Sequence, residues 1–370
     1  MKDDMKRELF KELCQHNEEL NTNAFLVQKI INERLKYIPH KKLYKFRPCT
    51  IANFKTLEEN CIWMAPASSF NDLFDSTINI DLAENRREIE DWLYNSFPVL
   101  CFDLVKKLCE DMGVRIPYIH ADFVEYVNTC LDENGKPIAE KEKAFIEAHA
   151  TPEDLVQMNY IFEMLKKYRN MFAEKEDQMV DTIIKAINDT RVCMRDSTLI
   201  YCMTERYDNP TLWENYAKDY TGFCIEYDFS KYTEQAFDDY KNLVYMFPMS
   251  YRKKKPYFDM VPILDVYCRR SIYKEEKIEN DLLSNVDLNM QLYYKNKDYE
   301  FEHEWRFLIK NKANNKQPFP FVNAIYAGKD IKQGNLKRLC KIARKLGVPV
   351  YKQTLNKANN GFAYKKVVDY

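Results

Sequence analysis

Glycine is scarce in this chain, with only seven among 370 residues. None of the seven forms the GxGxxG or GxxxxGK[ST] pattern, in which glycines let the backbone approach a phosphate group. Rossmann dinucleotide-binding domains and P-loop nucleotide hydrolases are therefore disfavoured.

Metal-binding and nucleophile motifs are lacking as well. The eleven cysteines are an odd number, scattered without a CxxC pair and without histidines at zinc spacing. His303 stands between Glu302 and Glu304, but this is not HExxH, and no GxSxG elbow occurs. The sequence predicts reduced, mostly buried cysteines and no bound metal.

The net charge is also small, and long apolar runs are lacking. Lysine and arginine number 56 against 57 acidic residues, so no global field attracts nucleic acid or an anionic membrane. No run approaches the roughly 20 apolar residues of a membrane span, and the N-terminus lacks the apolar stretch of a signal peptide. A cytoplasmic location without membrane contact is predicted. Two basic clusters, 252–255 and 337–345, are interpreted as solvated faces, with local nucleic-acid contact as the alternative.

What is present is a mixture of helical and strand patterns, which predicts an α+β protein. Apolar residues make up 46% of the chain, enough for a large core in one elaborated domain or two joined ones. Strand patterns occur at 43–47, 62–65, 198–203, 222–227, 243–251, 305–309, 324–326 and 348–351. The predicted divisions are an N-terminal helical segment (1–38), an α+β core (39–81 and 193–355), a helical insertion (82–192) and a C-terminal tail (356–370).

The sequence contains helix signals at four places in this pattern. A helix is expected at about 50–60, between the first two strands. Thr151 and Pro152 predict a helix start within the insertion, and a charged helical stretch is expected near 270–295. A final helix carrying apolar residues at 336–346 should end at Gly347.

The first segment with chemical potential is the strand that contains Tyr44, Lys45 and Arg47. Alternation puts Lys45 and Arg47 on one face, where two cations could bind a phosphate or carboxylate, or form a solvated edge. The turn-rich patch at 68–72, which includes Ser69 and Asn71, could add polar contacts or only cap the following structure.

The second segment is a predicted strand with Tyr201, followed by a short helix with Trp213, Tyr216 and Ala217. The spacing i, i+3, i+4 gives this helix an aromatic face. Such a face packs in a core more often than it contacts a ligand, but it could also stack on a planar ring.

The third segment alternates Glu300, Glu302 and Glu304 before Trp305. On an extended strand these carboxylates share a face, and their repulsion raises at least one pKa unless cations neutralise them. Arg306 on the same face could do so. The alternatives are an acid/base site and a structural ion-pair cluster.

Together these segments resemble the prokaryotic family called domain of unknown function twenty-nine seventy-one. The resemblance spans about 43–330 and is carried by four stretches: Leu43–Arg47, Ile62–Asp75, Leu212–Asp228 and Glu302–Phe307. The chain departs from the family at Leu73, where proline is usual, and in its long helical block.

The order of the segments more remotely resembles the ADP-ribosyltransferase fold. That resemblance implies a mixed or antiparallel split β-sheet core that binds NAD as a substrate between two small sheets, without a glycine-rich loop. It also implies roles for individual residues. The implied catalytic residues are Glu304, Glu302 and Tyr201, and the implied NAD-binding residues are Lys45, Arg47, Tyr44, Ser69, Asn71, Trp213, Tyr216 and Arg306.

The function implied is an NAD-dependent ADP-ribosyltransferase or NAD glycohydrolase, such as a toxin or defence effector, with a protein or nucleic acid as acceptor. Two alternatives remain open. One is a non-catalytic module that binds a nucleotide or a protein in the same cleft. The other is a magnesium-dependent nuclease that uses the oxygens of Asp72, Asp75, Glu302 and Glu304 as metal ligands.

Overall fold

The computed structural model describes most of the chain and divides it into two compact units. The sheet unit comprises Met1–Asn79, Arg191–Pro256 and Leu283–Tyr370, and the helical unit comprises Ile80–Thr190 and Tyr257–Leu282. The residues described are 3–16, 19–70, 75–95, 129–130, 138–149, 152–232, 241–262, 264, 286–309, 314–356 and 361–367.

A mixed sheet forms the centre of the sheet unit. Eight strands run in the order β13-β12-β11-β5-β1-β4-β9-β6, a ninth (β3) pairs with β4, and only β11 and β12 pair in parallel. Two further pairs, β2 with β10 and β7 with β8, form small separate sheets. The strands are β1 Lys42–Arg47, β2 Cys61–Trp63, β3 Ala65–Pro66, β4 Leu199–Thr204, β5 Phe223–Asp228, β6 Met246–Pro248, β7 Ser250–Arg252, β8 Tyr294–Asn296, β9 Glu304–Ile309, β10 Lys316–Pro318, β11 Val322–Ala327, β12 Val350–Asn356 and β13 Gly361–Lys366.

Nine helices are found in the described part of the chain, and the combination with the sheet confirms the α+β class. Helix α6 begins at Pro152, as the proline signal predicts, and the described parts of 82–192 are helical. None of the described helices combines the length and apolar character needed to cross a membrane. The helices are α1 Asp3–Gln15, α2 Ala24–Leu35, α3 Ile51–Glu58, α4 Leu82–Asn95, α5 Ala139–His149, α6 Pro152–Ser197, α7 Pro210–Tyr216, α8 Val286–Gln291 and α9 Gln333–Leu346.

Strand β1 is paired unequally with its two neighbours. It matches β5 at six successive positions, from Lys42 opposite Asp228 to Arg47 opposite Phe223. On its other side it meets β4 at one pair only, Tyr44 opposite Thr204, whereas β4 and β9 pair over six positions. The sheet is therefore open between β1 and β4 beyond that single pair, and side chains from both strands border the opening.

The C-terminal elements show how local signals fix the sheet edge. Helix α9 buries Leu336, Leu339, Ile342 and Ala343 and ends at Gly347, whose φ of 71° is a left-handed conformation that glycine adopts readily. The predicted helix and its end are thus confirmed. Residues 361–366, within the predicted tail, form β13, which pairs antiparallel with β12.

The prediction of one continuous strand at 243–251 is wrong. Residues 241–245 form a 3-10 turn, and the rest divides into β6, which pairs with β9, and β7, which pairs with β8. Pro248 ends β6 because proline has no N–H to donate to the ladder. Of the stretch near 270–295, α8 is helical, and residues 270–285 lie outside the described residues.

Gly222 allows the chain after α7 to pass close to β1. A Cβ atom built at this position would lie 2.3 Å from the carbonyl oxygen of Arg47 and 2.7 Å from that of Ala217. Because both are backbone atoms, Gly222→Ala is expected to lower the free energy of unfolding by about 1–3 kcal/mol. Denaturant unfolding measures this loss.

The matched control is Gly334→Ala in the first turn of α9. A Cβ atom at Gly334 would meet no atom within 4 Å. Alanine is also the better helix former by up to about 1 kcal/mol, so this variant should be as stable as the wild type or slightly more stable. Equal unfolding midpoints for the two variants would contradict the close approach at Gly222.

Candidate functional site

A cavity of about 350 Å³ lies in the sheet unit at the opening between β1 and β4. Strands β8 and β9, helix α7, the turn before β9 and residues 69, 70 and 75 after β3 also contribute side chains to its wall. The lining includes both apolar and charged side chains, which suits a ligand with an aromatic or sugar part and a charge. The lining residues are Tyr44, Lys45, Phe46, Ser69, Phe70, Asp75, Cys202, Met203, Thr204, Leu212, Tyr216, Lys295, Tyr299, Glu302 and Glu304.

Three carboxylates converge on the ammonium group of Lys295. The Lys295 Nζ atom lies 2.5 Å from Glu302 Oε2, 2.8 Å from Glu304 Oε2 and 3.8 Å from Asp75 Oδ2. All three acids are about 5% exposed. Buried carboxylates require such partners because an unpaired buried charge costs several kcal/mol.

Arg306 is the second cation of this cluster and is fully buried. Its Nε donates to Glu304 Oε1 at 2.6 Å, and its terminal nitrogens donate to Asp75 Oδ2 at 2.7 Å and Ser76 Oγ at 2.8 Å. A further bond reaches the carbonyl oxygen of Leu292 at 3.0 Å. Arg306 does not line the cavity. It pairs with Glu304 and Asp75, which do.

The two glutamates of the cluster have opposite pKa shifts. Burial alone would raise the pKa of Glu304, but Arg306 and Lys295 together hold it well below its usual value. Burial raises the pKa of Glu302, neighbouring Glu304 adds to the rise, and Lys295 opposes it. Glu304 is therefore a permanent anion near neutral pH, whereas Glu302 is the carboxylate that more readily takes up a proton.

Helix α7 and the turn before β9 are tied together at the cavity wall. Asn209 caps α7 by accepting from Thr211 N at 3.0 Å, and its side-chain nitrogen donates to Phe301 O at 2.8 Å. Tyr216 then donates its hydroxyl to Glu302 Oε1 at 2.6 Å. The cap and its cross-link thus place the tyrosine and the glutamate side by side.

The turn itself is fixed by contacts from two strands. Thr204 donates its hydroxyl to Glu302 O at 2.6 Å, and the Glu304 N–H donates to the hydroxyl of Tyr251 at 2.7 Å. His303 between them has φ of 44°, a left-handed conformation that turns the chain into β9. Glu302 and Glu304 therefore face Lys295 together, although a regular strand does not run through both.

Lys45 borders the cavity from β1. Burial, with Arg47 adding repulsion, lowers the pKa of Lys45 to about 8. Its Nζ atom lies 5.1 Å from the centre of the Tyr201 ring, and the Arg47 guanidinium carbon lies 5.4 Å from the same ring. The two cations share a face of β1, as the alternation predicts, and both contact one tyrosine.

Cys202 also lines the cavity, beside the acidic cluster. Burial raises the pKa of its thiol to about 12, and Glu304 contributes to the rise. The thiol is therefore protonated at neutral pH, which makes it unsuited to act as a nucleophile.

Six of the predicted site residues line the cavity together. They are Tyr44, Lys45, Ser69, Tyr216, Glu302 and Glu304. Ser69 is exposed and donates its hydroxyl to Pro66 O at 2.7 Å. The ring of Tyr44 packs on Tyr207, with ring centres 5.0 Å apart.

The other predicted residues lie elsewhere. Trp213 is fully buried, packs edge-on against Phe46 and donates its indole N–H to Tyr207 O at 2.7 Å, so it is a core residue. The Tyr201 ring is also buried, and its hydroxyl lies 2.8 Å from that of Tyr227. Neither ring reaches the cavity, so neither is placed to stack on a ligand bound there. Arg47 does not line the cavity, and Asn71 lies outside the described residues.

Lys295 is the main site residue that the sequence patterns missed. It comes from the short strand β8, nine positions before Glu304, within a run of mixed polar and aromatic residues without a clear motif. In the sequence interpretation, Asp75 has a role only as a metal ligand in the nuclease alternative. Repulsion among the glutamates implies that cations lie nearby. The signal that could have identified Lys295 is its position as a lysine shortly before the glutamate turn.

The cluster was also a candidate for metal binding. Within the residues that the structure describes, no group of three or more His, Cys, Asp or Glu side chains could hold a metal ion. Asp72, one of the proposed magnesium ligands, lies outside them. The oxygens of Glu304 are already bonded to Lys295 and Arg306, where a dication would meet two positive charges.

Comparison with known proteins bears on the second and third segments. Residues 212–307 match the family described as "Protein of unknown function (DUF2971)", which confirms the predicted resemblance over that range. The match contains most of α7, all of β5, Lys295 and the two glutamates, and it ends within β9. No curated protein and no solved structure matches the chain.

Proposed function

We propose that the chain cleaves the bond between nicotinamide and ribose in NAD and transfers the ADP-ribosyl group to water or another acceptor. The observation that carries this proposal is the pair of carboxylates with opposite pKa shifts, Glu302 and Glu304, at a cavity where the sheet opens. Two acids whose pKa values are pushed apart by their surroundings are typical of enzymes that cleave glycosidic bonds.

Glu304 is suited to stabilise positive charge on the ribose. When the bond to nicotinamide breaks, nicotinamide leaves with the bonding electrons and the sugar gains oxocarbenium character. A buried anion fixed by Arg306 and Lys295 does not have to reorganise as that charge develops. Its hydrogen-bonding capacity also allows contact with a ribose hydroxyl.

Glu302 is suited to accept a proton from the incoming nucleophile. Its pKa is raised, mainly by burial, and it accepts hydrogen bonds from Tyr216 and Lys295. In the second half of the reaction the attacking oxygen or nitrogen bonds to the ribose carbon and gives its proton to Glu302. A base acts best when its pKa approaches the working pH, so the raised pKa favours this role.

Lys45 is suited to bind the anionic part of the substrate. It faces the same cavity as the two acids, from the opposite side of the opening between β1 and β4. The opening lies within one sheet, where β1 and β4 pair at a single position, and this partial split supports the predicted likeness to the ADP-ribosyltransferase fold, in which NAD lies between two small sheets. The cavity volume of about 350 Å³ lies near the lower end of the range of about 300 to 1,000 Å³ that is usual for ligand pockets, so we expect it to hold the nicotinamide end of NAD.

The two alternatives differ in what they require of the cavity. A non-catalytic module would bind the nucleotide without turnover, and nothing in the geometry favours it over the enzyme. A magnesium-dependent nuclease would need carboxylate oxygens free of cations, whereas those of Glu304 and Asp75 contact Lys295 and Arg306. The glycosyl-transfer function is therefore favoured over the nuclease.

The direct test is to incubate the purified protein with NAD and to quantify free nicotinamide by chromatography. Cell lysate or defined acceptors are added in parallel, because an acceptor is needed if water reacts slowly. Release above the rate without protein supports the proposal. Binding of NAD without release in any condition would favour the binding module, and chelator-sensitive cleavage of DNA or RNA would favour the nuclease.

The pKa of Lys45 gives a pH-dependent prediction for the same assay. Its ammonium is charged below pH 8 and neutral above it, so the KM for NAD should rise as the pH increases from 7 to 9. Lys45→Arg keeps the charge throughout, because arginine stays protonated, and should flatten this rise. An equal rise in both proteins would show that Lys45 does not contact the substrate anion.

A further inference from the structure

A second cavity, of about 430 Å³, adjoins the first in the sheet unit. Asp75, Lys295 and Tyr299 line both cavities and form the boundary between them. The rest of the second wall is strongly basic. It includes the four consecutive cations Arg252, Lys253, Lys254 and Lys255, with Thr77, Asn79, Tyr294 and Asn296.

The basic run has two cations available for a ligand. Arg252 pairs with Asp3, its Nε lying 3.1 Å from Oδ2, and Lys255 donates to Thr77 O. Lys253 and Lys254 are exposed, and in the part of the chain that the structure describes neither has an acidic partner. Because the chain as a whole has a net charge of −1, this concentration of positive charge is local.

Two exposed aromatic rings lie in the turn before β9, and one of them, Tyr299, shares the wall of the second cavity with the basic run. Tyr299 and Phe301, in the turn before β9, are each 36% exposed, and their ring centres are 6.5 Å apart. The Lys295 ammonium lies 4.9 Å from the centre of the Tyr299 ring. Half-exposed rings on a polar turn are poorly explained by core packing, but they provide flat faces for stacking.

We propose that this basic run and the aromatic pair bind a single-stranded nucleic acid. Lys253 and Lys254 contact backbone phosphates, and Tyr299 or Phe301 stacks on a base. Cations that follow the backbone together with aromatic rings that stack on bases are the combination by which proteins hold single strands without reading their sequence. A duplex is disfavoured, since its bases are already stacked and unavailable to the rings.

The position of this surface gives the bound strand a role. Tyr299 lines both cavities, so a base or sugar held there lies next to Glu302 and Glu304. The strand would then be the acceptor of the transferred ADP-ribosyl group. That role rests on the proposed NAD chemistry, whereas binding of the strand does not.

Binding is tested by fluorescence anisotropy with end-labelled oligothymidine and oligouridine of about 15 nucleotides, which matches the larger site sizes of single-strand binding domains. Titrations between about 50 and 200 mM salt give the slope of affinity against salt. For Lys253→Ala/Lys254→Ala, that slope should be smaller by about 1.4, since each phosphate contact on a single strand contributes about 0.7. For Tyr299→Ala/Phe301→Ala, affinity should fall about fivefold or more with an unchanged slope, because stacking does not depend on salt.

The matched control is Lys337→Ala/Lys341→Ala on α9, which removes the same charge from another exposed basic cluster. Its affinity should change less than twofold by comparison with the roughly tenfold loss expected at 253 and 254. Equal losses in the two variants, or a preference for duplex over single strand, would overturn the proposal. So would the absence of binding at low salt.

The same variants separate the two proposals. Nicotinamide release from NAD alone should be unchanged in Lys253→Ala/Lys254→Ala, because neither lysine lines the first cavity. Strand binding without any nicotinamide release would refute the NAD chemistry and leave the nucleic-acid surface standing. Release without strand binding would refute the surface and leave the NAD chemistry standing.

Discussion

Replacing Arg306 with methionine is expected to lower the free energy of unfolding by about 3–5 kcal/mol, the range found when one partner of a buried ion pair is removed. The guanidinium is fully buried and donates to Glu304, Asp75, Ser76 and the carbonyl oxygen of Leu292. Methionine fills a similar volume but offers none of these bonds. Three carboxylates, those of Glu302, Glu304 and Asp75, then share the single ammonium of Lys295.

The loss is measured by urea or thermal unfolding, followed at several wavelengths to detect more than one transition. Arg206→Met is the matched control, because Arg206 is half exposed and its contact with Asp208, at 3.4 Å, is a surface ion pair. Such pairs contribute at most about 1 kcal/mol, so the control should unfold close to the wild type. If the two variants were equally stable, the ion-pair cluster could not be holding the site.

Acid unfolding gives an independent measure of the same contact. The pKa of Glu304 is lower in the folded protein than in the unfolded chain, so its pairing stabilises the fold above the ordinary glutamate value. That stabilisation is lost as the pH falls below about 4.3. Arg306→Met removes the main cation that lowers this pKa, so the variant should lose less stability than the wild type over the same acid range.

The cluster also shows what local sequence could and could not predict. Alternation placed Glu302, Glu304 and Arg306 near one another, because residues two apart on a strand share a face. It could not supply Lys295 or Asp75, which come from β8 and from the chain beyond β3. The pairing of β7 with β8 positions Lys295, and the ion pair with Arg306 positions Asp75. Both are tertiary contacts that local sequence does not predict.

The aromatic face of α7 was likewise predicted only in part. The spacing of Trp213 and Tyr216 predicted that both rings point to one side, but helix position decided their surroundings. Trp213 is fully buried against Phe46 of β1, whereas Tyr216, one turn later, is 46% exposed and donates its hydroxyl to Glu302. A periodicity of 3.6 residues predicts which side of a helix a residue faces. It does not predict where along the helix axis the buried core ends.

The order of the strands in the sheet could not be predicted from local sequence patterns either. The strands at 43–47, 198–203, 222–227 and 305–309 were predicted within one or two residues, since each is a short run of β-branched and aromatic residues. Their order, with β4 between β1 and β9, brings Lys45 and Glu304 to one cavity. A single sequence contains no signal for such long-range pairing, and only the predicted resemblance implied that Lys45 and Glu304 belong to one site.

Replacing Glu304 with glutamine is expected to reduce the rate of nicotinamide release about 100- to 1,000-fold, the usual cost of removing one group that stabilises charge in the transition state. The substitution keeps the shape of the side chain but removes its negative charge. The ground state of NAD needs that charge less than the oxocarbenium-like transition state does, so kcat should fall with little change in KM. Stopped assays over a range of NAD concentrations separate the two constants.

The matched control is Glu300→Gln, which removes one carboxylate from the same turn. Glu300 is exposed and does not line the cavity, so its variant should release nicotinamide at the wild-type rate. Unfolding curves for both variants check that the loss at Glu304 is not a loss of folded protein, because glutamine leaves Lys295 and Arg306 with one fewer anion. A folded Glu304→Gln protein that keeps the wild-type rate would contradict the role of Glu304 and, with it, the assignment of this cavity to NAD.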